Sequence, residues 1–349
     1  MPLSHGFDEY YGIPYSNDMW PYERDSRALD PDDEQAYVYD PGSSHPPLPL
    51  YEGNEIVKAG VTPSDQKMLT RDFTDRAINV IEASGTRPFF IYLPYSASHI
   101  PIFVRDEIKG KSGGSLYQDV IYEFDLQMAR IMQALRDQGI EQDTLVIFTS
   151  DNGPWTVFGD HAGSAGDMRG FKQTTFEGGI RVFAAMHWPT GFNEGVTVTS
   201  PVMTIDILPT IAEIVGAKPG GEKLDGQSLV STIQDSQPAG AEPRALYNYF
   251  LGELESLRYG KWKLHFPREV RIVTRVGSGG FRGDYGKEQI DWSLYDLDAD
   301  PGESVNLIDR HPEIAEKLKK MAAVFSSDLE AGRKPMGNYG PKEGASAQQ

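Results

Sequence analysis

The ten residues "TLVIFTSDNG", 144–153, join an apolar run directly to an acid, an amide and a glycine. Thr144 to Phe148 are β-branched, aliphatic or aromatic, which favours a short buried strand of the kind found in parallel sheets. In open α/β sheets the carboxyl ends of the strands face the ligand crevice, so Asp151 and Asn152 are expected where such a fold binds its ligands. Their oxygen atoms suit Ca²⁺ or Mg²⁺. Because Asp-Asn-Gly is also ordinary turn material, this stretch alone leaves both interpretations open.

A helix, a strand and a second helix precede this stretch in the predicted order of elements. Apolar residues at helical spacing predict a helix that Ser64 caps and Gly85 ends, and "PFFIYLPYS", residues 88–96, predicts another buried strand. A second helical pattern starts near Tyr117 and ends at Gly139. The alternation predicts an α/β domain with a mostly parallel sheet flanked by helices.

The second part of the chain has a different pattern. A polar segment rich in glycine and proline predicts a boundary between an α/β domain at 1–235 and a smaller domain at 243–349. Beyond it, "ALYNYF", "ESLRYGKWKLHF" and "WSLYDLDADPGE" alternate like short antiparallel strands, with a hairpin turn at Tyr259–Gly260. A charged amphipathic pattern from Pro312 to Leu329 predicts a C-terminal helix, followed by a polar tail.

The composition excludes several classes of protein. The chain has 349 residues, no cysteine and a formal net charge of −18, from 33 basic and 51 acidic residues. The missing cysteines exclude disulfides and thiolate metal sites, and the charge argues against nucleic-acid binding. No apolar run is long enough to span a membrane, and the opening "MPLSHGFDEYYG" lacks a signal-peptide pattern. Because the acidity repels anions at long range, a site for an anionic substrate needs local cations or a metal.

Two further regions offer chemistry beside that of Asp151 and Asn152. His99 follows the second predicted strand, and the glycine-rich segment 161–181 contains Lys172 among other cations. A single histidine is commonly a surface residue, and the segment is also typical of a flexible basic loop, since the Gly-Lys-Ser/Thr ending of a P-loop is missing. Together the four side chains offer oxygen ligands for a hard cation and two groups that stabilise an oxyanion.

Six segments, in chain order, resemble the sulfatase family of the alkaline phosphatase superfamily, and most of all the arylsulfatases. The start of the chain, "HGFDEYYGIPYSND", also matches the segment that follows the family's lysine–histidine motif. The resemblance covers nearly the whole chain and implies a sulfatase-type fold, a sulfated small molecule or glycan as substrate, and Ca²⁺ as the metal, with Mg²⁺ as the alternative. The six segments are "PFFIYLPYSASHIP", "DTLVIFTSDNGPW", "GSAGDMRGFKQTTFEGGIR", "DILPTIAEIVGA", "GKWKLHF" and "YDLDADPGESVNL".

The resemblance implies roles for individual residues. The family's calcium ligands fall on Asp151 and Asn152, its sulfate-contacting lysine on Lys172, and its histidine at the substrate ester on His99. This set is chemically coherent, because a divalent cation and a lysine neutralise the charge of a sulfate ester while a histidine protonates the departing oxygen.

Ser16 and His161 are the remaining candidates for substrate contact. Ser16 lies in "IPYSND", a segment that the resemblance places at the active site, and His161 matches a position where relatives contact the substrate. Relatives are often exported, so the resemblance also implies a periplasmic or secreted parent protein.

The sequence departs from the family pattern at the nucleophile. The family uses a formylglycine made from the cysteine of a Cys-X-Pro-Ser-Arg motif, and neither this motif nor its serine variant occurs here. The family's N-terminal aspartate pair and lysine–histidine motif have no counterpart either. We therefore expect an N-terminally truncated sulfatase that by itself hydrolyses no sulfate ester, holds Ca²⁺ poorly and self-associates through an unpaired sheet edge. The alternatives are a non-catalytic protein that binds sulfated glycans and a phosphate-ester hydrolase of the same superfamily.

Overall fold

The computed structural model of the chain describes residues 1–27, 34–218, 224–234 and 242–332. Residues 235–241, at the expected domain boundary, and the polar tail beyond Gly332 lie outside these residues. The chain divides into two compact units, Met1–Ala241 with Arg271–Glu288, and Glu242–Val270 with Gln289–Gln349. This division assigns residues 271–288 to the first unit, although they lie far along the chain. In the described ranges no helix combines the length and the apolar character needed to cross a bilayer.

The two long helices of the first unit form where the apolar spacing predicts them. Helix α1 starts one residue after Thr62, whose hydroxyl accepts from the backbone N–H of Asp65 while the Asp65 carboxylate accepts from the N–H of Thr62. This capping box replaces the cap expected at Ser64, because Pro63 suits the first helical position. Ser115 and Gln118 form the same motif at α2. The helices are α1 Pro63–Ser84, α2 Leu116–Asp137, α3 Glu177–Ile180, α4 Ile207–Ile214 and α5 Val230–Ile233.

The strands of the first unit are short. The expected combination of sheet and helices is present, since Val146 of β6 packs with residues of α1 and α2 in one apolar cluster. Strand β4 pairs antiparallel with β1 and with β5, and β2 pairs antiparallel with β3. These strands are β1 Tyr11–Gly12, β2 Tyr22–Arg24, β3 Tyr37–Tyr39, β4 Leu50–Glu52, β5 Glu55–Lys58, β6 Val146–Thr149 and β7 Ala184–His187.

The parallel pairing expected for the strand at Thr144 to Phe148 is wrong. Strand β6 pairs with β7 in antiparallel fashion, Val146 opposite His187, and its residues are only half-buried. Segment 88–96 is extended but forms no strand ladder with other described residues. Its odd residues from Phe89 pack against the cluster, whereas Phe90 and Tyr92 are 62% and 71% exposed. A short apolar run predicts extended backbone, but the direction of pairing depends on which segment lies beside it.

The second unit confirms the predicted antiparallel sheet and closing helix. Strands β8 Ala245–Phe250, β9 Glu253–Tyr259, β10 Trp262–His265 and β13 Ser293–Asp296 lie in the order β13-β10-β9-β8. Helix α6 Pro312–Gly332 packs Leu318 against Leu257 and Leu264 of the sheet. Between β10 and β13 the chain forms the paired strands β11 Arg268–Arg275 and β12 Asp284–Ile290. The tip of this pair, residues 271–288, belongs to the first unit and reaches the site described next.

Candidate active site

Asp151 and Asn152 follow directly after β6, as the sequence indicates. The Asp151 carboxylate accepts from the backbone N–H of Asn152 at 2.9 Å and from the Ser150 hydroxyl at 3.4 Å. The Asn152 amide donates to the carbonyl of Gly153 at 2.9 Å. These local bonds are those of an Asx-type turn. The Asp151 side chain nevertheless stays exposed, so its carboxylate remains accessible to a ligand although it forms hydrogen bonds within the turn.

Backbone contacts join this turn to the glycine-rich segment. The N–H of Gly153 donates to the carbonyl of Gly179 at 2.9 Å, and the N–H of Lys172 donates to the carbonyl of Pro154 at 2.8 Å. A Cβ atom on Gly153 would lie 2.0 Å from the carbonyl oxygen of Gly178. Glycine is therefore required for the approach that brings Lys172 beside Asp151.

Lys172 is a half-buried cation next to two carboxylates. Its Nζ lies 4.9 Å from the centre of the Trp155 ring. Burial lowers the pKa of Lys172, and the Asp151 and Asp18 carboxylates oppose that change. Burial thus removes part of the water around the ammonium group, and the two carboxylates balance only part of its charge. Such a cation is suited to exchange its remaining water for the oxygens of a bound anion.

His99 also lies against Trp155. The two ring centres are 5.5 Å apart, and His99 Nδ1 lies 2.7 Å from the carbonyl oxygen of Ile100. A carbonyl oxygen only accepts, so Nδ1 carries the hydrogen in the neutral ring. Nε2 is then the atom that takes up or releases a proton, which is what a general acid at an ester requires.

The segment that carries His99 is fastened by Asn17, a residue that sequence reasoning passed over for its neighbour Ser16. Asn17 is 2% exposed, and its amide donates to Gln66 Oε1 at 3.1 Å and to the carbonyl oxygens of His99 and Pro101 at 3.4 and 3.1 Å. Ser16 itself is exposed, whereas Asp18 faces Lys172. The segment "IPYSND" therefore contacts the His99 segment and Lys172 through Asn17 and Asp18, not through Ser16, and the sequence does not reveal which of its side chains point inward.

His161 is buried at the end of a 3₁₀ helix, Thr156–His161. It lines a cavity of about 130 Å³ together with Ile100 and Pro101, the residues that follow His99. The structure therefore brings His161 to the His99 segment through this cavity. Gly280, from the strand pair of residues 268–290, lines the same cavity, a neighbour that spacing along the chain could not indicate.

Trp155 is the centre of this arrangement and was not singled out from the sequence. Its indole Nε1 donates to the hydroxyl of Tyr285 at 2.5 Å, and its ring packs on Phe158 with centres 4.9 Å apart. A tryptophan with its N–H satisfied and its faces packed is held in one orientation. It therefore positions Lys172 and His99 relative to one another.

The oxygen donors at this site do not by themselves fit a calcium ion. Calcium takes about six to eight oxygen ligands. Asp151 and Asn152 offer two side-chain candidates, and the parts of the chain that the structure describes hold no group of three or more acidic or histidine side chains suited to a metal. Lys172 also competes for the Asp151 charge. We therefore derive no chemical step through a metal.

Both parts of the chain match described families. Residues 2–217 match the family described as Sulfatase, and residues 241–348 match the C-terminal region of aryl-sulfatase. Arylsulfatase A of Bos taurus is 30% identical over 348 residues, which cover 96% of this chain and 68% of the relative. These matches confirm the resemblance to arylsulfatases.

Solved structures confirm the fold class. The PsFucS1 sulfatase from Pseudoalteromonas sp. superposes with a TM-score of 0.76 at 19% identity and covers 95% of this chain and 68% of that one. BT4656, solved in complex with its substrate D-glucosamine-2-N,6-O-disulfate, superposes with a TM-score of 0.61 at 14% identity over 93% of this chain and 77% of that one. The chain thus spans about two thirds to three quarters of the length of these relatives.

Proposed function

We propose that this chain, which belongs to the sulfatase family, supplies the sulfate-binding and leaving-group side of an arylsulfatase-like sulfuric ester hydrolase. The observation that carries the proposal is the convergence of Lys172 and His99 on the Trp155 ring, with Asp151 facing Lys172. In a chain with a net charge of −18, a partly desolvated ammonium group beside a histidine favours an anionic ester as ligand.

The roles follow from the chemistry of the two side chains. The Lys172 ammonium donates hydrogen bonds to the non-bridging sulfate oxygens and balances their charge. His99 Nε2, when protonated, donates its proton to the bridging oxygen as the sulfur–oxygen bond breaks, so that the leaving group departs as an alcohol. Attack on sulfur needs a nucleophile, and the 349 residues contain no cysteine and neither form of the family motif. We assign the attack to no residue of this chain.

Asp151 and Asn152 are proposed as two oxygen ligands of a Ca²⁺ ion, with the rest of its coordination supplied from outside this pair. The exposure of the Asp151 carboxylate and its position next to Lys172 support this part of the proposal. A hard dication at that position would add to the positive charge that faces the sulfate.

A non-catalytic role, binding sulfated glycans, is the second candidate. It is favoured by the complete absence of cysteine, since the binding groups Lys172 and His99 are present while the covalent group is not. Both candidates share the same anion site, so sulfate binding tests the site and turnover separates the candidates.

The test is a titration of the purified chain with inorganic sulfate by calorimetry. Lys172→Met should weaken sulfate binding by about tenfold or more, the loss of a charge-assisted hydrogen bond, while the exposed Lys111→Met should bind like the parent chain. Equal affinity in the two variants would reject Lys172 as the anion ligand.

Hydrolysis of 4-nitrophenyl sulfate by the same sample should not exceed background. Turnover abolished by Asp151→Ala would require a nucleophile among these residues and would reject the binding-only role. A preference for 4-nitrophenyl phosphate would instead favour phosphate-ester hydrolysis.

A further inference from the structure

The strand pair β11–β12 is attached to the segment that follows Trp155. Residues 271–288 of this pair belong to the first unit. The backbone N–H groups of Gly277 and Gly283 both donate to the carbonyl oxygen of Val157, at 2.9 and 2.8 Å. These two hydrogen bonds hold the turn end of the strand pair against the 3₁₀ helix that begins directly after Trp155.

Tyr285 is the contact between this strand pair and Trp155. Its hydroxyl accepts from Trp155 Nε1 at 2.5 Å. The Phe171 ring stacks on the Tyr285 ring with centres 5.9 Å apart and planes inclined by 19°, and the Arg271 guanidinium lies 4.7 Å from the centre of the same ring. A ring packed against these two neighbours has few orientations, so its hydroxyl stays where it meets the indole N–H.

Arg271 contacts the residue that follows Lys172. Its Nη1 donates to the side-chain oxygen of Gln173. Gln173 has a φ of +75°, in the left-handed region that residues with a Cβ atom rarely adopt. Glycine would remove this strain, so a glutamine at this position indicates a use for its side chain. The hydrogen bond from Arg271 is such a use.

The strand pair therefore holds both neighbours of Lys172 in the chain. Tyr285 packs on Phe171, and Arg271 bonds to Gln173. A lysine side chain has many rotamers, and an anion that binds it must select one of them. Fixing the backbone on both sides of the lysine reduces the number of positions open to its ammonium group, which favours binding.

We propose that Tyr285 and Arg271 are positioning residues of the sulfate-binding site. Tyr285 acts on the Lys172 ammonium group through Trp155, and Arg271 acts on it through Gln173. Loss of either contact leaves the charge of Lys172 in place and weakens sulfate binding because the ammonium group is less well placed. The inference rests on the proposed function, since it takes Lys172 as the sulfate ligand.

The first experiment removes only the Tyr285 hydroxyl. In Tyr285→Phe the Trp155 indole N–H loses its acceptor, so its NMR resonance, identified with Trp155→Phe, should move upfield. Sulfate affinity measured by calorimetry should fall about fivefold, the worth of one hydrogen bond. In a Trp155→Phe background the substitution should cost nothing further, whereas a general loss of packing would add to it. Tyr259→Phe, which removes a hydroxyl bonded to Glu242 in the second unit, is the control and should change neither quantity.

The second experiment breaks the contact between Arg271 and Gln173. Arg271→Met should weaken sulfate binding about fivefold. Combined with Gln173→Gly, which suits a φ of +75°, it should weaken binding no further than Gln173→Gly alone, because the two side chains share one contact. Arg275→Met removes an equal charge from the same strand, where Arg275 pairs with Asp284 at 2.6 Å, and should bind sulfate like the parent chain.

The outcomes separate this inference from the proposed function. A parent chain that binds no sulfate would reject both. Sulfate binding that depends on Lys172 but is unchanged in Tyr285→Phe and Arg271→Met would overturn the inference alone, as would equal losses in Arg271→Met and Arg275→Met or a Trp155 resonance that does not move in Tyr285→Phe. Circular dichroism of each variant confirms that it is folded.

Discussion

Acid should destabilise the second unit through His265, which lies in a buried polar cluster. Lys263, His265 and Glu303 are each 0% exposed. His265 Nε2 lies 2.6 Å from Glu303 Oε1, and Arg268 donates to His265 Nδ1 at 3.1 Å. Since Arg268 only donates, Nδ1 accepts and the neutral ring carries its hydrogen on Nε2. Protonation of Nδ1 would break the bond to Arg268 and place two cations against each other.

The magnitude follows from the change in pKa between the unfolded and the folded chain. Burial, aided by Lys263 and Arg268 and opposed by Glu303, lowers the pKa of His265 from 6.5 to about 4. Between these values the unfolded chain binds a proton that the folded chain does not, so stability falls as the pH falls through this window. At 1.36 kcal/mol per pKa unit, the loss is about 3 kcal/mol by pH 4.

The assay compares urea unfolding of the parent chain with His265→Gln between pH 6.5 and 4, followed by hydrogen exchange of the β10 amides. Glutamine can donate to Glu303 and accept from Arg268 without titrating. The stability difference between the two proteins should shrink by about 3 kcal/mol over this range, whereas the exposed His5→Gln should follow the parent. Parallel curves for parent and His265→Gln would refute the reasoning.

Two further predictions concern the first unit. Lys172→Met should raise the melting temperature at pH 7 while it weakens sulfate binding, because the lowered pKa of Lys172 means that burial of its charge opposes folding; a lower melting temperature would contradict this. Phe90→Asp combined with Tyr92→Lys should reduce self-association in sedimentation velocity, because the two rings lie exposed on an extended segment without a strand partner among the described residues. Val324→Lys, on the exposed face of α6, is the control and should leave self-association unchanged.

The predictable part of the fold is the part that local periodicity determines. The spacing of apolar residues indicates α1, α2 and α6, and the alternation in β9 and β10 indicates the antiparallel sheet and the turn at Gly260. The pairing of β6 is not determined in this way, because a four-residue apolar strand fits a parallel or an antiparallel neighbour equally well. Its partner, β7, lies about 40 residues further along the chain.

The same distinction between local pattern and distant contact applies to the residues of the site. Resemblance predicts Lys172, His99 and Asp151 as site residues, because they lie inside continuous motifs. It does not predict Trp155 as the common contact of Lys172 and His99. The Tyr285 hydroxyl that holds Trp155 lies 130 residues away in sequence. Contacts of this kind are decided by packing between distant segments, which motifs do not record.

Lys172 departs from an ordinary rule of folding. Lys172 has a lowered pKa although two carboxylates face it and the chain carries 51 acidic residues. A sequence with so many acids could have placed a carboxylate in direct contact with this ammonium group, as it places Glu52 against Arg76. Local violations of this kind are characteristic of functional sites, where a ligand completes what the protein leaves open. His99 shares its ring contact Trp155 with Lys172. A sulfate ester whose charged oxygens bind Lys172 and whose bridging oxygen lies at His99 would satisfy both residues at once.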